Sequence, residues 1–161
     1  MSQPVSQRKT KHPIIDRQQQ KQRYHYTEQS NVNDPLLDRK IDDVASGLVT
    51  YYSNMLRKVL VSNKDNGLTI VSYINAMRAE ENLSDNYRRD LIWALSTFSN
   101  YFQNKLSFKE ITRDDILAFL DNFRKPEGVD PLHKWIGTYN INRIHLMRFF
   151  KWLYSDLNPP L

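Results

Sequence analysis

The residues of this chain that could take part in catalysis lie near its carboxyl end. His145 and Arg148 form a His-x-x-Arg pattern, and Tyr154 follows in the same segment. A tyrosine oxygen attacks a phosphodiester only where several cations surround the phosphate and an acid serves the leaving oxygen. One helix cannot supply that set of groups. In addition, the His-x-x-Arg pattern fixes only two residues in four, so it occurs easily by chance. We therefore predict that these residues are not catalytic.

Composition and spacing argue against other catalytic chemistry. The chain has no cysteine, so disulfides, zinc-thiolate sites and a cysteine nucleophile are impossible. The adjacent carboxylates Asp114 and Asp115 do not converge on one metal ion and are better explained as helix-cap residues. Four glycines provide no phosphate-cradling loop. The four histidines lack the spacing of a metal site: His12, His25, His133 and His145. We expect no cofactor and no enzymatic activity.

The net charge of +5 lies mostly in the amino-terminal tail. Residues 1–33 hold six Lys or Arg against two Asp or Glu, which leaves 17 against 16 for residues 34–161. A basic composition alone therefore does not indicate a DNA-binding surface. The tail is polar and Gln-rich, so we predict that it is disordered, and it either touches DNA phosphates or only aids solubility.

We expect neither a membrane span nor a secretion signal in this protein. No apolar run approaches the roughly 20 residues that a spanning helix needs, and the amino terminus is polar. We expect a cytoplasmic protein without a membrane partner.

Apolar residues recur at helical spacing through most of the chain. Asp34 is a good N-cap and Pro35 suits a first helical turn. The pattern that follows predicts one long amphipathic helix over residues 34–60, weakened by Gly47. That helix either docks on the adjacent core or forms a coiled-coil seam.

Four further helices follow, and no strand-like alternation is present, so the fold class is all-α. We predict helices over 68–81, from Ser84 to about Gln103, from a capping box that begins at Thr112, and from Thr138 to Tyr154. A turn at 62–67 and a loop at 126–131 separate some of them. The last helix has an apolar stripe predicted to face the core: Leu146, Phe149, Phe150 and Leu153.

Three segments in order resemble one protein family. They are residues 82–91 (NLSDNYRRDL), residues 111–116 (ITRDDI), and residues 138–153 with Asn158-Pro159. Together they resemble the amino-terminal core-binding domain of phage integrases and tyrosine recombinases, and residues 131–140 (PLHKWIGTYN) are similar to archaeal integrases.

The resemblance implies an orthogonal, SAM-like bundle of four core helices over residues 68–157. The extra helix at 34–60 lies outside the resemblance. Such a domain forms one half of a C-shaped clamp on double-stranded DNA during recombination and integration. The other half is a catalytic domain, which we expect after a linker beginning at residues 158–161. The whole recombinase would self-associate on DNA, and no small-molecule substrate is implied.

The resemblance also places two helices in the DNA major groove, those from Ser84 and from Thr138. We expect their exposed residues to contact DNA. These are Arg88, Arg89, Trp93, Thr138, Ile141, Asn142, His145 and Arg148.

Two other classes of function remain open. A helical transcription regulator would need two helices joined by a turn of about 3–4 residues, and the long connection at 124–137 argues against it. A protein-interaction bundle would use the helix at 34–60 as its partner surface.

Overall fold

The computed structural model describes residues 34–157, and within that range it contains six α-helices and no strand. The all-α prediction is confirmed. The predicted tail at 1–33 and the predicted linker at 158–161 lie outside the described residues. The helices are α1 (Pro35–Val44), α2 (Thr50–Ser62), α3 (Lys64–Glu80), α4 (Asp85–Tyr101), α5 (Arg113–Asp121) and α6 (Trp135–Leu157).

The amino-terminal segment forms two helices, so the prediction of one long helix over 34–60 is wrong. α1 begins as predicted, with the Asp34 carboxylate accepting a hydrogen bond from the Leu36 N–H. The break comes at Gly47, whose φ of +78° is a conformation that only glycine adopts freely. A continuous coiled-coil seam is thereby excluded, and Tyr51, whose spacing continues the apolar series, is 57% exposed.

α2 and α3 are separated by one residue instead of the predicted turn at 62–67. Asn63 caps α3, because its side-chain oxygen accepts from the Asn66 N–H. α3 thus begins at Lys64, before the predicted start at residue 68. Gly67 lies inside α3 against α2, where a Cβ atom would stand 2.7 Å from the Leu60 Cα. The missing side chain lets the two helix backbones approach closely.

A buried asparagine connects α3 to α4 and to the segment before α5. The Asn66 side chain donates to the Ser99 hydroxyl at 3.0 Å and to the Leu106 carbonyl at 2.8 Å, and it accepts from the Phe108 N–H at 2.9 Å. Asn66 is only 1% exposed. These bonds satisfy its amide and hold Phe108 in the core.

The predicted caps of α4 and α5 are present. The Ser84 hydroxyl accepts from the Tyr87 N–H, and Thr112 with Asp115 forms a capping box. Both caps bind backbone N–H groups that have no hydrogen-bond partner inside the helix.

One aromatic-rich core joins all six helices. The Phe98 ring packs edge to face on Phe119 at 5.0 Å, and Phe108 does so on Phe149 at 5.0 Å. The same apolar cluster extends from Leu37 in α1 to Leu153 in α6, so α1 and α2 belong to the core. The stripe predicted for the last helix is buried as expected: Leu146, Phe149, Phe150 and Leu153.

Candidate nucleic-acid interface

Arg88 lies inside the protein, so the prediction that it is exposed is wrong. Its side chain is 8% exposed. The guanidinium donates to the Ser46 carbonyl in the turn between α1 and α2, and to the Asp85 carboxylate at 2.8 Å. Arg88 therefore holds α4 against the amino-terminal helices and has little surface to offer a partner.

Arg89 and Arg148 are partly exposed, and each has an acidic neighbour. Arg89 lies 3.0 Å from Asp90, and Arg148 lies 2.9 Å from Glu81. Arg148 also donates to the Tyr87 hydroxyl at 2.7 Å, and this bond raises the pKa of the guanidinium further above its usual value. Surface pairs of this kind contribute about 1 kcal/mol or less. Both cations can exchange a carboxylate for a phosphate at small cost.

The remaining predicted residues gather at a cleft of about 200 Å³ between α4 and α6. Asn142 and His145 are only 3% and 5% exposed, so the prediction that they are exposed is wrong. They lie on the side of α6 that faces α4, next to the buried stripe. Trp93 is half-buried, whereas Thr138 and Ile141 remain exposed. The lining residues are Asp90, Trp93, Ala94, Thr138, Ile141, Asn142 and His145.

The imidazole of His145 packs against an aromatic ring. Its centroid is 5.3 Å from that of Tyr87. Burial lowers the pKa of His145 below its usual value, and Arg148 adds to this effect while Asp90 opposes it. Burial therefore favours the neutral form of this imidazole.

The beginning of α6 is fixed by the loop before it. The Asp130 carboxylate accepts from the Trp135 N–H at 2.9 Å, and this bond lowers the pKa of Asp130. The Arg124 guanidinium lies 6.0 Å from the Trp135 ring and 5.5 Å from the Tyr139 ring. These contacts orient α6 relative to the rest of the bundle.

The opposite side of α6 presents a second surface, which we call the outer face. Its residues recur at positions three, four and seven apart, so they form one continuous face. All are exposed, including Ile144 at 53% and Met147 at 56%. The outer face consists of Asn140, Arg143, Ile144, Met147, Lys151 and Tyr154.

The outer face carries positive charge on a stretch of α6 that contains no acidic residue. From Trp135 to Ser155 the chain contains no Asp or Glu. Arg143 and Lys151 form no ion pair with any residue in 34–155, in contrast to Arg89 and Arg148. Neither Arg143 nor Lys151 was among the predicted DNA contacts. The signal that finds them is the exposed series opposite the apolar stripe of the same helix.

The described part of the chain shows neither a metal-binding cluster nor a membrane-spanning helix. Residues 34–155 contain no group of three His, Asp or Glu placed to hold a metal ion. No helix in this range combines the length and the hydropathy that crossing a bilayer requires. Comparison with protein-family models, with curated proteins and with solved structures finds no match to this chain.

Proposed function

We propose that this chain is a DNA-binding domain that places the outer face of α6 against duplex DNA. The observation that carries the proposal is the cationic character of this face, with Arg143 and Lys151 exposed and no carboxylate from Trp135 to Ser155. Lysine and arginine that contact phosphates release counterions from DNA, and this release drives binding.

The uncharged residues of the outer face fit the same partner. An α-helix fits into the major groove of B-DNA, where thymine presents a methyl group and adenine presents a donor beside an acceptor. Ile144 and Met147 provide exposed apolar contacts, and Asn140 provides an amide. This combination suits a helix that reads base edges as well as phosphates.

The resemblance to integrases supports a more specific form of the proposal. In that form the domain is a SAM-like core-binding domain of a tyrosine recombinase, and it holds one side of the DNA while a catalytic domain elsewhere in the recombinase acts on the other. The whole recombinase then self-associates on its DNA site.

The predicted contact residues divide into two groups in this proposal. Arg89 and Arg148 bind phosphates after leaving their acidic neighbours, and Trp93, Thr138 and Ile141 lie at the edge of the interface. Arg88, Asn142 and His145 are too buried to reach a duplex from the surface. They position the helices that do.

The test replaces the two outer-face cations. In Arg143→Ala/Lys151→Ala the slope of log affinity against log salt should decrease by about 1.8, since each phosphate contact contributes about 0.9. The loss of affinity between 50 and 200 mM salt should shrink roughly tenfold. Fluorescence anisotropy with a labelled duplex measures both.

The matched control is Arg39→Ala/Lys40→Ala, which removes two exposed cations from α1. It should leave most of the slope unchanged. An equal decrease in both variants would mean that charge alone, without a specific face, binds the DNA.

A protein-interaction surface is the second candidate, favoured by the exposed apolar side chains of Ile144, Met147 and Tyr154. Its predicted location on residues 34–60 is less suitable, since Leu37, Ile41 and other apolar residues of that segment are buried in the core. A protein partner held by the apolar residues would remain bound at high salt, whereas DNA would dissociate.

A further inference from the structure

Two buried polar atoms at the cleft between α4 and α6 have no partner. The Asn142 side-chain nitrogen donates to the Thr138 carbonyl at 2.9 Å. Its oxygen must point away, since two oxygens at that distance would repel each other, and this oxygen accepts no hydrogen bond. Nδ1 of His145 is also without a partner. Leaving such atoms unpaired costs stability, so their presence at a cleft suggests an occupant.

The walls of the cleft suggest the shape of that occupant. Trp93 on α4 and Ile141 on α6 provide apolar surfaces, while Asp90 adds a carboxylate to the lining. The volume of about 200 Å³ is below the roughly 300 Å³ at which pockets for drug-sized ligands begin. A single flat ring system with polar edges is the occupant of matching size and chemistry.

We infer that this cleft receives one unpaired nucleobase with an exocyclic amine, presented by a DNA strand that lies along α6. The base stacks on Trp93, a contact open to any base because each has a π face. The amine donates to the half-exposed Asp90 carboxylate. The base reaches the buried Asn142 oxygen and His145 Nδ1 only after these side chains turn toward the cleft. Thymine has no exocyclic amine and offers these acceptors only one donor, its N3–H.

The position of the cleft favours a base that belongs to a DNA strand over a free nucleoside. On a helix with 3.6 residues per turn, Ile141 and Arg148 lie between the outer face and the cleft residue His145. A phosphate held at Arg148 would therefore bring its base close to the cleft. This step rests on the proposed function, because it requires DNA on α6.

The experiment compares duplexes that are identical except for one unpaired base. A labelled duplex with a bulged adenine should bind roughly five- to tenfold more tightly than the fully paired duplex, in line with the effect of stacking one base on an aromatic side chain. A bulged thymine should gain less. Equal affinities for the paired and the bulged adenine duplexes would overturn the inference, and so would free adenosine that binds as tightly as the bulged duplex.

Two variants test the assignment of residues. Trp93→Ala should abolish the preference for the bulge, whereas Tyr51→Ala, which removes an exposed aromatic from α2, should leave it unchanged. Asp90→Asn lies at a half-exposed position and preserves side-chain shape, so it tests the site without opening the core. It should reduce the preference for adenine over thymine. Retention of both preferences in both cleft variants would refute the proposed site.

The outcomes separate this inference from the proposed function. Salt-dependent binding of the paired duplex without any gain from a bulge would refute the cleft site and leave the DNA-binding proposal standing. If no DNA form binds at low salt, both proposals fail together.

Discussion

Replacing Arg88 by methionine tests whether this residue is structural. Methionine keeps most of the apolar stem in place and removes the guanidinium, so the bonds to Ser46 and Asp85 are lost. A hydrogen bond from a charged group contributes about 1.5–3 kcal/mol. The bond to Asp85 contributes less, because that carboxylate is 71% exposed. Relief of the unpartnered Arg88 Nε atom offsets part of the loss. We expect the free energy of unfolding to decrease by about 2 kcal/mol.

Thermal unfolding followed by circular dichroism measures this effect. For a domain of this size the decrease corresponds to a melting temperature lower by about 8 °C. Arg89→Met is the matched control, because the neighbouring arginine is partly exposed and its surface pair should contribute less than about 1 kcal/mol. If Arg89→Met lowered the melting temperature as much as Arg88→Met, the buried contact to the α1–α2 turn would not be the source of stability.

Two further predictions concern packing and pH. Gly67→Ala should destabilise the fold by about 1–3 kcal/mol, because the added Cβ would press on the Leu60 backbone. Gly137→Ala is the control: there is open space around this glycine, so the variant should be neutral or stabilising. Urea unfolding measures both. Because burial depresses the pKa of His145 below about 6.5, its contribution to stability is complete above that pH and is lost as the pH falls toward the folded-state pKa. The melting temperature should therefore fall on going from pH 7 to pH 5.5, and the fall should be smaller in His145→Gln; an unchanged pH profile in that variant would contradict this assignment.

The helices of the carboxyl-terminal half were predictable because local signals and apolar periodicity agree there. Ser84 and Thr112 cap α4 and α5 as expected, and Phe149 and Phe150 are buried as expected. The prediction of a single helix over 34–60 was wrong because the apolar series continues past Gly47, so its periodicity did not reveal the turn. Only the backbone conformation of that glycine does.

The predicted site was less accurate than the fold. A polar residue at the edge of an apolar stripe can point to solvent or toward a neighbouring helix, and only packing decides between them. Asn142 and His145 face α4, while Arg143 and Lys151 face outward. Arg88 is buried by a turn more than 40 residues earlier in the chain, a contact that no local pattern predicts.

The contribution of α6 to the aromatic core bears on how the protein folds during its synthesis. Domains emerge from the ribosome amino terminus first. Phe98 and Phe108 both pack against residues of α6, through Phe150 and Phe149 respectively. Until α6 has emerged, part of the surface of these two rings has no intramolecular cover. A nascent chain stalled before α6 should therefore bind chaperones that recognise exposed apolar surface. A chain stalled after the whole of α6 has emerged from the ribosome should release them.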